Sequence, residues 1–379
     1  MKSYFPFPRI NWITSIFLIS TLLIALIGTP LYLWHFGIDW FQVALFLFYV
    51  PATAMSITLG YHRLFAHRAF KGRLPVRLGT LIFGACAFEN SALDWASDHR
   101  AHHKFVDHED DDPYSIKRGF FFAHIGWLLF KLRPETRANV ADLQKDKLVM
   151  WQHRHCQLIA VLAGLVLPAV LGFLWNGWAG ALGAFLIAGV TRVVVVQHST
   201  FFINSLCHTI GRQPYSKDST ARDSRIMAFL TFGEGYHNYH HSFQHDYRNG
   251  VKRTSYDPTK WAIWILSKIG LASDLKRVSP EKILMAEMRE AQRQIEAKAH
   301  YLKAAANSPK WQGAVDTYEA LLEKFTQNYH ELERSVAEQV RVSRQNLKRW
   351  RYEARCLLNH LANLSRLEQP PGTAGSLES

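Results

Sequence analysis

Long apolar runs alternate with polar segments in the first two-thirds of the chain, and this pattern predicts membrane helices. Four runs approach the ~20 apolar residues that a helix needs to cross the hydrocarbon core of a bilayer. They cover residues 12–34, 40–60, 156–175 and 178–197. Only short connections separate the first run from the second and the third from the fourth, so we expect two membrane hairpins.

The charges beside these runs predict their orientation. Residues 35–39 and 176–177, which connect the paired runs, contain no Lys or Arg. Both connections are flanked by residues that favour the membrane–water interface, namely Trp34, Trp40, Trp175 and Trp178. The other side of the membrane would carry the basic residues Lys2, Arg9, Arg63, Arg68, Lys71, Arg73 and Arg77. By the positive-inside rule, we expect an integral multi-pass protein with both termini in the cytoplasm.

Two features qualify this membrane pattern. Arg192 falls within the fourth run but near its end, where we expect the long side chain to reach the interface. Residues 76–93 are also apolar, but they contain Arg77, Glu89 and Asn90, so they predict an interfacial or buried cytoplasmic helix rather than a fifth span. A soluble protein with buried helices is the alternative, and the two short uncharged connections argue against it.

The composition adds a basic balance. The 379 residues are 48% hydrophobic, with a mean hydropathy of -0.09 and a formal net charge of +13. Because this charge accompanies membrane spans, it favours attraction to anionic membrane lipid and to the phosphates of an acyl carrier, and nucleic acid is not an expected partner. The four cysteines show no Cys-x-x-Cys spacing and are expected to be free thiols in a reducing compartment.

Three histidine clusters lie in the segments expected on the cytoplasmic side. They are His62-Arg-Leu-Phe-Ala-His67, His99-Arg-Ala-His102-His103 and His237-Asn-Tyr-His240-His241. In the second and third clusters the histidines stand at i, i+3 and i+4, so one helical turn can point three imidazoles to the same side. His62 and His67 are about 140° apart around an α-helix, a spacing that favours binding to different metals.

The number of histidines predicts a two-metal site, because eight imidazoles in three short windows exceed the needs of one ion. Asn204 and His208 lie one helical turn apart just after the fourth run. His208 could add a ninth nitrogen ligand, and Asn204 could hold a metal-bound water. All-imidazole ligation suits Fe, Zn, Cu or Ni rather than Mg or Ca. The paired Glu-x-x-His of carboxylate-rich di-iron bundles and the His-Glu-x-x-His of zinc proteases do not occur in the sequence.

These segments resemble the membrane fatty acyl-CoA desaturases of the delta-9, stearoyl-CoA desaturase-like family. The resemblance covers about residues 10–275 and rests on the order and spacing of its motifs. The motifs are His62-Arg-Leu-Phe-Ala-His67, Asp98-His-Arg-Ala-His-His-Lys104, Asn204-Ser-Leu-Cys-His208 and Gly233-Glu-Gly-Tyr-His-Asn-Tyr-His-His241. The linking segment Arg118-Gly-Phe-Phe-Phe-Ala-His-Ile-Gly-Trp127 agrees as well.

The resemblance implies an all-α membrane protein with four transmembrane helices under a cytoplasmic helical cap that holds a di-metal site. The desaturase domain would comprise residues 1–278, with the cap formed by 61–150 and 198–278. The metals would be two irons with O2 as co-substrate, and zinc could take their place during expression. The implied ligands are His62, His67, His99, His102, His103, His208, His237, His240 and His241, with Asn204 acting through a water. The di-metal centre itself would be catalytic, with no separate acid or base residue.

The resemblance also implies a reaction and a substrate. The family removes two hydrogens from a methylene pair of a long-chain saturated acyl-CoA, and we expect a cis double bond between carbons 9 and 10. The implied substrate contacts are Glu89, Asn90, Trp95, Trp127, Lys131 and Thr200. Of these, Trp95, Glu89 and Thr200 lie where the family's acyl tunnel kinks, and Asn90 lies near the thioester.

Some residues depart from the family pattern and bear on the acyl carrier. Ser97 stands where family members that use coenzyme A often have Arg. After the Gly-Trp segment, Lys131-Leu-Arg133 stands in place of the family's paired basic residues, and Phe201 stands in place of a common Trp. Acyl-CoA is the expected substrate, and an acyl chain on lipid or on a carrier protein is the alternative. Three further functions fit parts of the pattern, namely a fatty acyl hydroxylase with the same histidines, a metal transporter and a structural scaffold.

The electron donor is expected to be a separate protein, because no heme-binding His-Pro-Gly-Gly segment is fused to this sequence. A donor of the ferredoxin, rubredoxin or cytochrome b5 type, with its reductase, would suit this role. Membrane lipid is the other expected partner. The expected location is the inner membrane of a bacterium.

The last hundred residues differ from the rest. Residues 279–367 are dense in charged side chains and predict an α-helical extension of two or three amphipathic helices. Apolar residues recur there at steps of four and three, as Tyr318, Leu322, Phe325, Tyr329, Leu332 and Val336. A solvated extension and a docking site for the donor or another subunit both fit this pattern. Residues 368–379 are expected to be a disordered tail.

Overall fold

The structure, a computed structural model, describes residues 9–131, 137–306 and 312–367. In chain order the helices are α1 (Trp12–Phe36), α2 (Trp40–Ala66), α3 (Leu74–Ala85), α4 (Ala92–Phe105), α5 (Lys147–His208), α6 (Arg225–Leu230), α7 (His237–Ser242), α8 (Pro258–Lys268), α9 (Pro280–Ala306), α10 (Gln312–Ala337) and α11 (Arg344–Leu367). Short helical turns between α4 and α5 cover Ile116–Arg118, Phe122–Gly126, Trp127–Leu129, Ala138–Val140 and Ala141–Gln144. Two short strands, β1 (Lys71–Gly72) and β2 (Ala272–Ser273), pair antiparallel.

Within the described ranges, α1, α2 and α5 are long and apolar enough to cross a membrane. Their large apolar side chains point outward, as the exposure of Ile13, Leu26, Trp34, Leu174 and Trp178 illustrates. Such a surface suits contact with lipid, since soluble monomers rarely expose apolar patches of this extent. The prediction of an all-α membrane protein is therefore confirmed.

Helix α5 contains both the third and the fourth apolar run and doubles back on itself. The backbone leaves the helical conformation at Asn176 and Gly177, where Gly177 has a φ of 54°. Beyond this point the guanidinium of Arg192 donates a hydrogen bond of 2.7 Å to the carbonyl of Gly164, 28 residues earlier. A straight helix would separate these residues by about 42 Å, so α5 consists of two antiparallel arms.

The two hairpins meet at their tips. The indole N–H of Trp175 donates to Asp39 Oδ2 over 2.9 Å, and the Trp40 ring packs edge-on against the Trp175 ring with centroids 4.9 Å apart. Asp39 also caps the start of α2, since its Oδ1 accepts from the amide of Phe41. The aromatic residues expected at the hairpin tips are thus also the residues that join them.

The expectation for Arg192 was wrong. Its side chain is fully buried rather than extended to the interface. The guanidinium donates to the backbone carbonyls of Cys86, Gly164 and Ala188. Because π-helical turns and a helix end leave carbonyl oxygens free in the apolar interior, a buried cation with several donors satisfies them.

Helix α3 is too short to span a membrane at 12 residues. It packs along the second half of α2, where a Cβ on Gly60 would overlap the side chain of Thr80. Phe83 of α3 also contacts the rings of Phe48 and Tyr49 on α2. This packing explains why residues 76–93 are apolar without forming a further span.

The chain divides into two compact units. The first comprises Met1–Arg212 and Ser219–Arg277, and its core lies between the second half of α2, α3, α4 and α8. The second comprises Gln213–Asp218 and Val278–Ser379. In it α9, α10 and α11 pack around a separate apolar core that includes Met288, Phe325, Leu332 and Trp350. The predicted disordered tail, 368–379, lies outside the described residues, and the predicted domain limits stay predictions.

The close approach of the two α5 arms generates a first testable prediction. A Cβ on Gly172 would overlap the carbonyl oxygen of Gly180, whereas a Cβ on Gly79 of α3 would meet no atom. We expect Gly172→Ala to destabilise the protein by about 1–3 kcal/mol through overpacking. The matched change Gly79→Ala should stabilise it by up to about 1 kcal/mol through helix propensity. Thermal unfolding in detergent measures both, and equal midpoints for the two variants would contradict the antiparallel packing.

Candidate metal centre

Nine histidines from four segments converge at one end of the spans. His62 lies in the π-helical turns that end α2, and His67 follows them directly. The other seven lie on three helices, with His99, His102 and His103 on α4, His208 at the end of α5, and His237, His240 and His241 on α7. These are the nine histidines that the sequence singled out as candidate ligands.

The nine imidazoles form two groups, in each of which the ring nitrogens lie within 4.8 Å of one another. The first group is His62, His67, His99, His103 and His240. The second group is His102, His208, His237 and His241. The two groups share the helices α4 and α7, which each contribute histidines to both.

His62 and His67 belong to the same group, so the expectation that they favour different metals does not match their placement. The reason is the local helix type. The segment Ser56–Ala66 is π-helical, and the amide of His67 donates to the carbonyl of His62 over 3.0 Å, an i to i+5 bond. In a π-helix residues five apart fall on the same side, which brings both imidazoles to one centre.

The facing atoms are the Nε2 nitrogens. His67 Nε2 lies 2.7 Å from His99 Nε2, and His102 Nε2 lies 3.3 Å from His241 Nε2. Two nitrogen ligands about 2.1 Å from one ion and at right angles to each other would be about 3.0 Å apart. The spacing in both groups is therefore compatible with a metal ion held between the rings.

The protonation state of the rings supports the same interpretation. Of the seven histidines that lie outside α2 and α5, six have a pKa that burial, together with the neighbouring rings, holds well below the ordinary value of 6.5. They are His67, His99, His103, His237, His240 and His241. Neutral imidazole is the form that binds metal, so these rings are ready to act as ligands at neutral pH.

Several of the opposite ring nitrogens, Nδ1, face acceptors that orient the rings. His102 Nδ1 lies 2.8 Å from Asp112 Oδ1, and His62 Nδ1 lies 3.0 Å from Glu234 Oε2. A carboxylate beside Nδ1 places the proton there and leaves Nε2 with a free lone pair. These acceptors therefore aim the lone pairs of the rings into the two groups.

His208 is oriented through a hydroxyl. Thr220 donates to Asp107 Oδ1 over 2.6 Å, so its oxygen is left to accept from His208 Nδ1 at 2.7 Å. The amide of Thr220 also donates to Asp107 Oδ2 over 2.7 Å. Asp107 thus acts on His208 through Thr220.

Behind His62 lies a buried network of charged side chains. The Arg63 guanidinium lies 2.8 Å from Glu234 Oε1 and 3.0 Å from Asp257 Oδ1, and all three side chains are almost fully buried. Asn249 donates to the other oxygen of Glu234 over 2.6 Å. Burial by itself would raise the pKa of Glu234, but the adjacent His62 and Arg63 lower it to about 2. Glu234 is therefore ionised where it faces His62.

Sequence reasoning missed these acceptors as functional residues. Glu234 is separated from Arg63 by 171 residues, and Asp257 by 194. The glycines beside Glu234 were the available signal. Gly233 has a φ of 105°, and a Cβ there would crowd Asp257, while a Cβ on Gly235 would overlap the backbone of Ala228.

Comparison with known proteins agrees with this geometry. The family model for fatty acid desaturases matches residues 38–257. The chain is 39% identical over 318 residues to Acyl-CoA desaturase 1 of Saccharomyces cerevisiae, covering 81% of this chain and 61% of the relative. It is 40% identical over 284 residues to a probable acyl-CoA desaturase of Schizosaccharomyces pombe, covering 73% and 56%.

A mammalian relative is similar as well. The chain is 36% identical over 293 residues to Stearoyl-CoA desaturase of Homo sapiens, covering 74% of this chain and 78% of the relative. The chain belongs to the fatty acid desaturase family. It spans about three fifths of the length of the two yeast relatives.

In this desaturase-family chain, three of the expected substrate contacts lie together beside the first histidine group. The Trp95 indole stacks on the His99 ring with centroids 4.8 Å apart, and its N–H donates to Glu89 Oε2 over 3.3 Å. The hydroxyl of Thr200 lies beside the same carboxyl and donates to the carbonyl of Val196 over 3.3 Å. Burial raises the pKa of Glu89 to about 8, although the neighbouring polar groups of Thr200 and Trp95 act against this rise.

The other expected site residues lie at different places. Asn90 is exposed, with a φ of 67°, and lines an open cleft of about 400 Å³ together with His153 and Arg154. The Trp127 ring packs against Tyr114, whose hydroxyl lies 3.3 Å from His99 Nδ1. Lys131 is exposed, and the described contact it makes is from its backbone amide to the carbonyl of Arg9.

Asn204 lies on α5 one turn before His208 and is half-buried. Its expected role through a water stays a prediction.

The buried network predicts the effect of Glu234→Gln. Replacing this carboxylate removes the negative charge opposite His62 Nδ1 and leaves Arg63 less compensated. Loss of such an outer partner typically weakens metal binding about 10–100-fold. We expect less metal per purified chain by elemental analysis after dialysis against a weak chelator. Glu331→Gln, the same change at an exposed position of α10, is the control, and equal metal content in both variants would contradict the assigned role.

The raised pKa of Glu89 predicts a pH dependence of stability. An unfolded chain releases this proton near pH 4.5, whereas the folded chain keeps it until about pH 8. Stability should therefore fall as the pH rises between these values, because the unfolded state binds fewer protons. In Glu89→Gln the fall between pH 5 and 8 should be smaller, as measured by thermal unfolding in detergent. Glu109→Gln at an exposed position should keep the slope of the parent, and a Glu89→Gln slope equal to the parent's would refute the buried neutral acid.

Proposed function

We propose that this protein is an oxygen-dependent di-iron acyl-CoA desaturase. It would introduce a cis double bond between carbons 9 and 10 of a long-chain saturated acyl-CoA. The observation that carries the proposal is the convergence of nine Nε2 nitrogens into two groups at the end of apolar spans. The names of the similar proteins, acyl-CoA and stearoyl-CoA desaturases, support the same reaction.

Each histidine group would hold one iron. The first group offers five imidazoles and the second offers four, so a water on Asn204 would complete the second set. Bound iron would supply the oxidising power needed to break unactivated C–H bonds with O2, a task that protein side chains cannot perform. Zinc would occupy the same imidazoles in an expression host, but it cannot change oxidation state and would not support turnover.

The protein's own part would be to place the acyl chain. Methylenes carry no polar groups, so position along the chain must be read by shape and by the location of the polar end. Trp95, stacked on His99, would form the wall next to the first iron, with Glu89 and Thr200 behind it. A neutral Glu89 suits this place, because an ionised carboxylate would hold water beside the acyl chain.

The carrier end of the substrate would bind outside the buried site. Asn90 and the cation of Arg154 line the open cleft of about 400 Å³, which suits a thioester and a phosphate-bearing carrier. Lys131 is exposed and would add positive charge, and Trp127 would contact the substrate from the Tyr114 side. These contacts support coenzyme A as the carrier.

Electrons would come from a separate donor of the ferredoxin, rubredoxin or cytochrome b5 type, recycled by its reductase. His103 and His241 support this, because they are half-buried and form the edge of the site nearest to solvent. Both termini would be cytoplasmic, in agreement with the basic residues on the side of the histidines. The host membrane would be a bacterial inner membrane.

Lipid analysis of an auxotroph tests the proposed function. A host that cannot make unsaturated fatty acids should gain monoenes when it expresses this chain with iron, O2 and a competent donor. His99→Ala should abolish the product, because it removes an imidazole from the first group. His330→Ala, at an exposed histidine outside both groups and outside the cleft, should retain it. A product one oxygen heavier would indicate a hydroxylase, and no new product from the parent chain would refute the proposal.

A further inference from the structure

Two helices outside the spans expose apolar side chains on the side away from the core. In α8, Ile263 is fully buried, yet Trp261, Trp264 and Ile265 on the opposite side are about half exposed. In α6, Met227 is buried whereas Ile226 is 74% exposed. A helix that is apolar all round is stable only when both sides are covered.

The exposed side chains of these helices form one continuous surface, which we call the interfacial patch. It consists of Ile226, Phe229, Leu230, Trp261, Trp264 and Ile265. Tyr256 joins its two halves, since its ring lies 5.1 Å from the Phe229 ring and 5.7 Å from the Trp261 ring. An aromatic surface of this kind marks an interaction site rather than scattered exposure.

The level of the patch along the spans indicates what covers it. Thr259 at the start of α8 hydrogen-bonds Thr58 of α2 over 2.7 Å. Thr58 lies about 27 Å along the helix from Trp40, close to the ~30 Å thickness of a hydrocarbon core. Because Trp40 marks one membrane surface, Thr58 and the start of α8 lie near the other. Helix α6 likewise packs against the Arg192–Ser205 part of α5.

The charges around the patch favour an anionic surface. Arg225 at the start of α6 and Lys268 at the end of α8 are exposed, and the Lys268 ammonium lies 5.5 Å from the centre of the Trp264 ring. Tryptophan beside a basic residue is typical of segments that lie in the headgroup region. Lys252 and Arg253, in the loop before α8, add exposed positive charge.

We propose that the interfacial patch lies in the headgroup region of the leaflet nearest the histidine groups and binds anionic phospholipid there. Helices α6 and α8 are then a second, monotopic membrane attachment beside the spans. The proposal depends on the membrane location of the chain and not on its catalytic activity.

Site-specific fluorescence quenching tests this proposal on the full chain. Cys356→Ser leaves the cysteines Cys86, Cys156 and Cys207, which are buried. In this background Ile265→Cys and, as control, Asp110→Cys receive a small thiol-reactive fluorophore at exposed positions. The proteins are reconstituted in nanodiscs with and without phosphatidylglycerol. Lipids with a nitroxide high on the acyl chain should quench the label at position 265, and aqueous iodide should quench the label at position 110.

Three results would overturn the proposal. Iodide quenching at position 265 as strong as at position 110 would place the patch in water. Resistance of position 265 to both quenchers would indicate a protein cover. Lipid quenching at position 265 that does not rise with phosphatidylglycerol would overturn the anionic assignment. If it does rise, the double change Arg225→Gln and Lys268→Gln should remove this dependence while the lipid quenching itself remains.

Discussion

Nine imidazole rings share a small space, and positive charge between their Nε2 nitrogens would stabilise this arrangement. Rings whose Nδ1 faces an acceptor, as in His62, His102 and His208, present a bare lone pair at Nε2. Neighbouring Nε2 atoms come as close as 2.7 Å, in the pair His67 and His99. Cations would turn this repulsion into attraction and would tie together the ends of α2 and α5 with α4 and α7. The arrangement of the first unit is best understood as the means of bringing these four segments to one place.

The charged side chains around the two histidine groups also suit bound cations. Buried cations require nearby negative charge, and the carboxylates stand behind the ligands rather than among them. Asp112 and Glu234 lie directly behind the rings of His102 and His62, and Asp107 acts through Thr220. Arg63 keeps Glu234 ionised and fixed, which a carboxylate in an apolar interior cannot achieve alone. A candidate ligand set of imidazoles alone would therefore have nearby carboxylates that partly offset the charge of bound cations.

Periodic patterns in the sequence predicted the apolar spans and the candidate histidine ligands, because such patterns depend on local helix geometry. Histidines at i, i+3 and i+4 share one side of any helix, and apolar runs with tryptophan at their ends fit a bilayer of known thickness. The placement of His62 and His67 could not be predicted, since it depends on a π-helical segment that has no periodic signature. The pairing of Arg63 with Glu234 and Asp257 joins residues far apart in the chain, and Arg192 is buried because backbone carbonyls from distant segments need donors. Such contacts arise from packing, which a single sequence does not reveal.

Asp257 connects helix α8, one side of which is exposed, with the buried charged network behind His62. Its Oδ1 accepts from the amide of Lys260 over 2.8 Å and so caps the start of α8, while the same carboxylate pairs with Arg63 in the network behind His62. One side of α8 is exposed and apolar, and its other side buries Ile263 in the core below the histidines. A displacement of α8 would therefore move Asp257 and, through Arg63 and Glu234, the ring of His62. The proposed membrane attachment and the candidate metal centre are thus linked by a short chain of buried charged contacts.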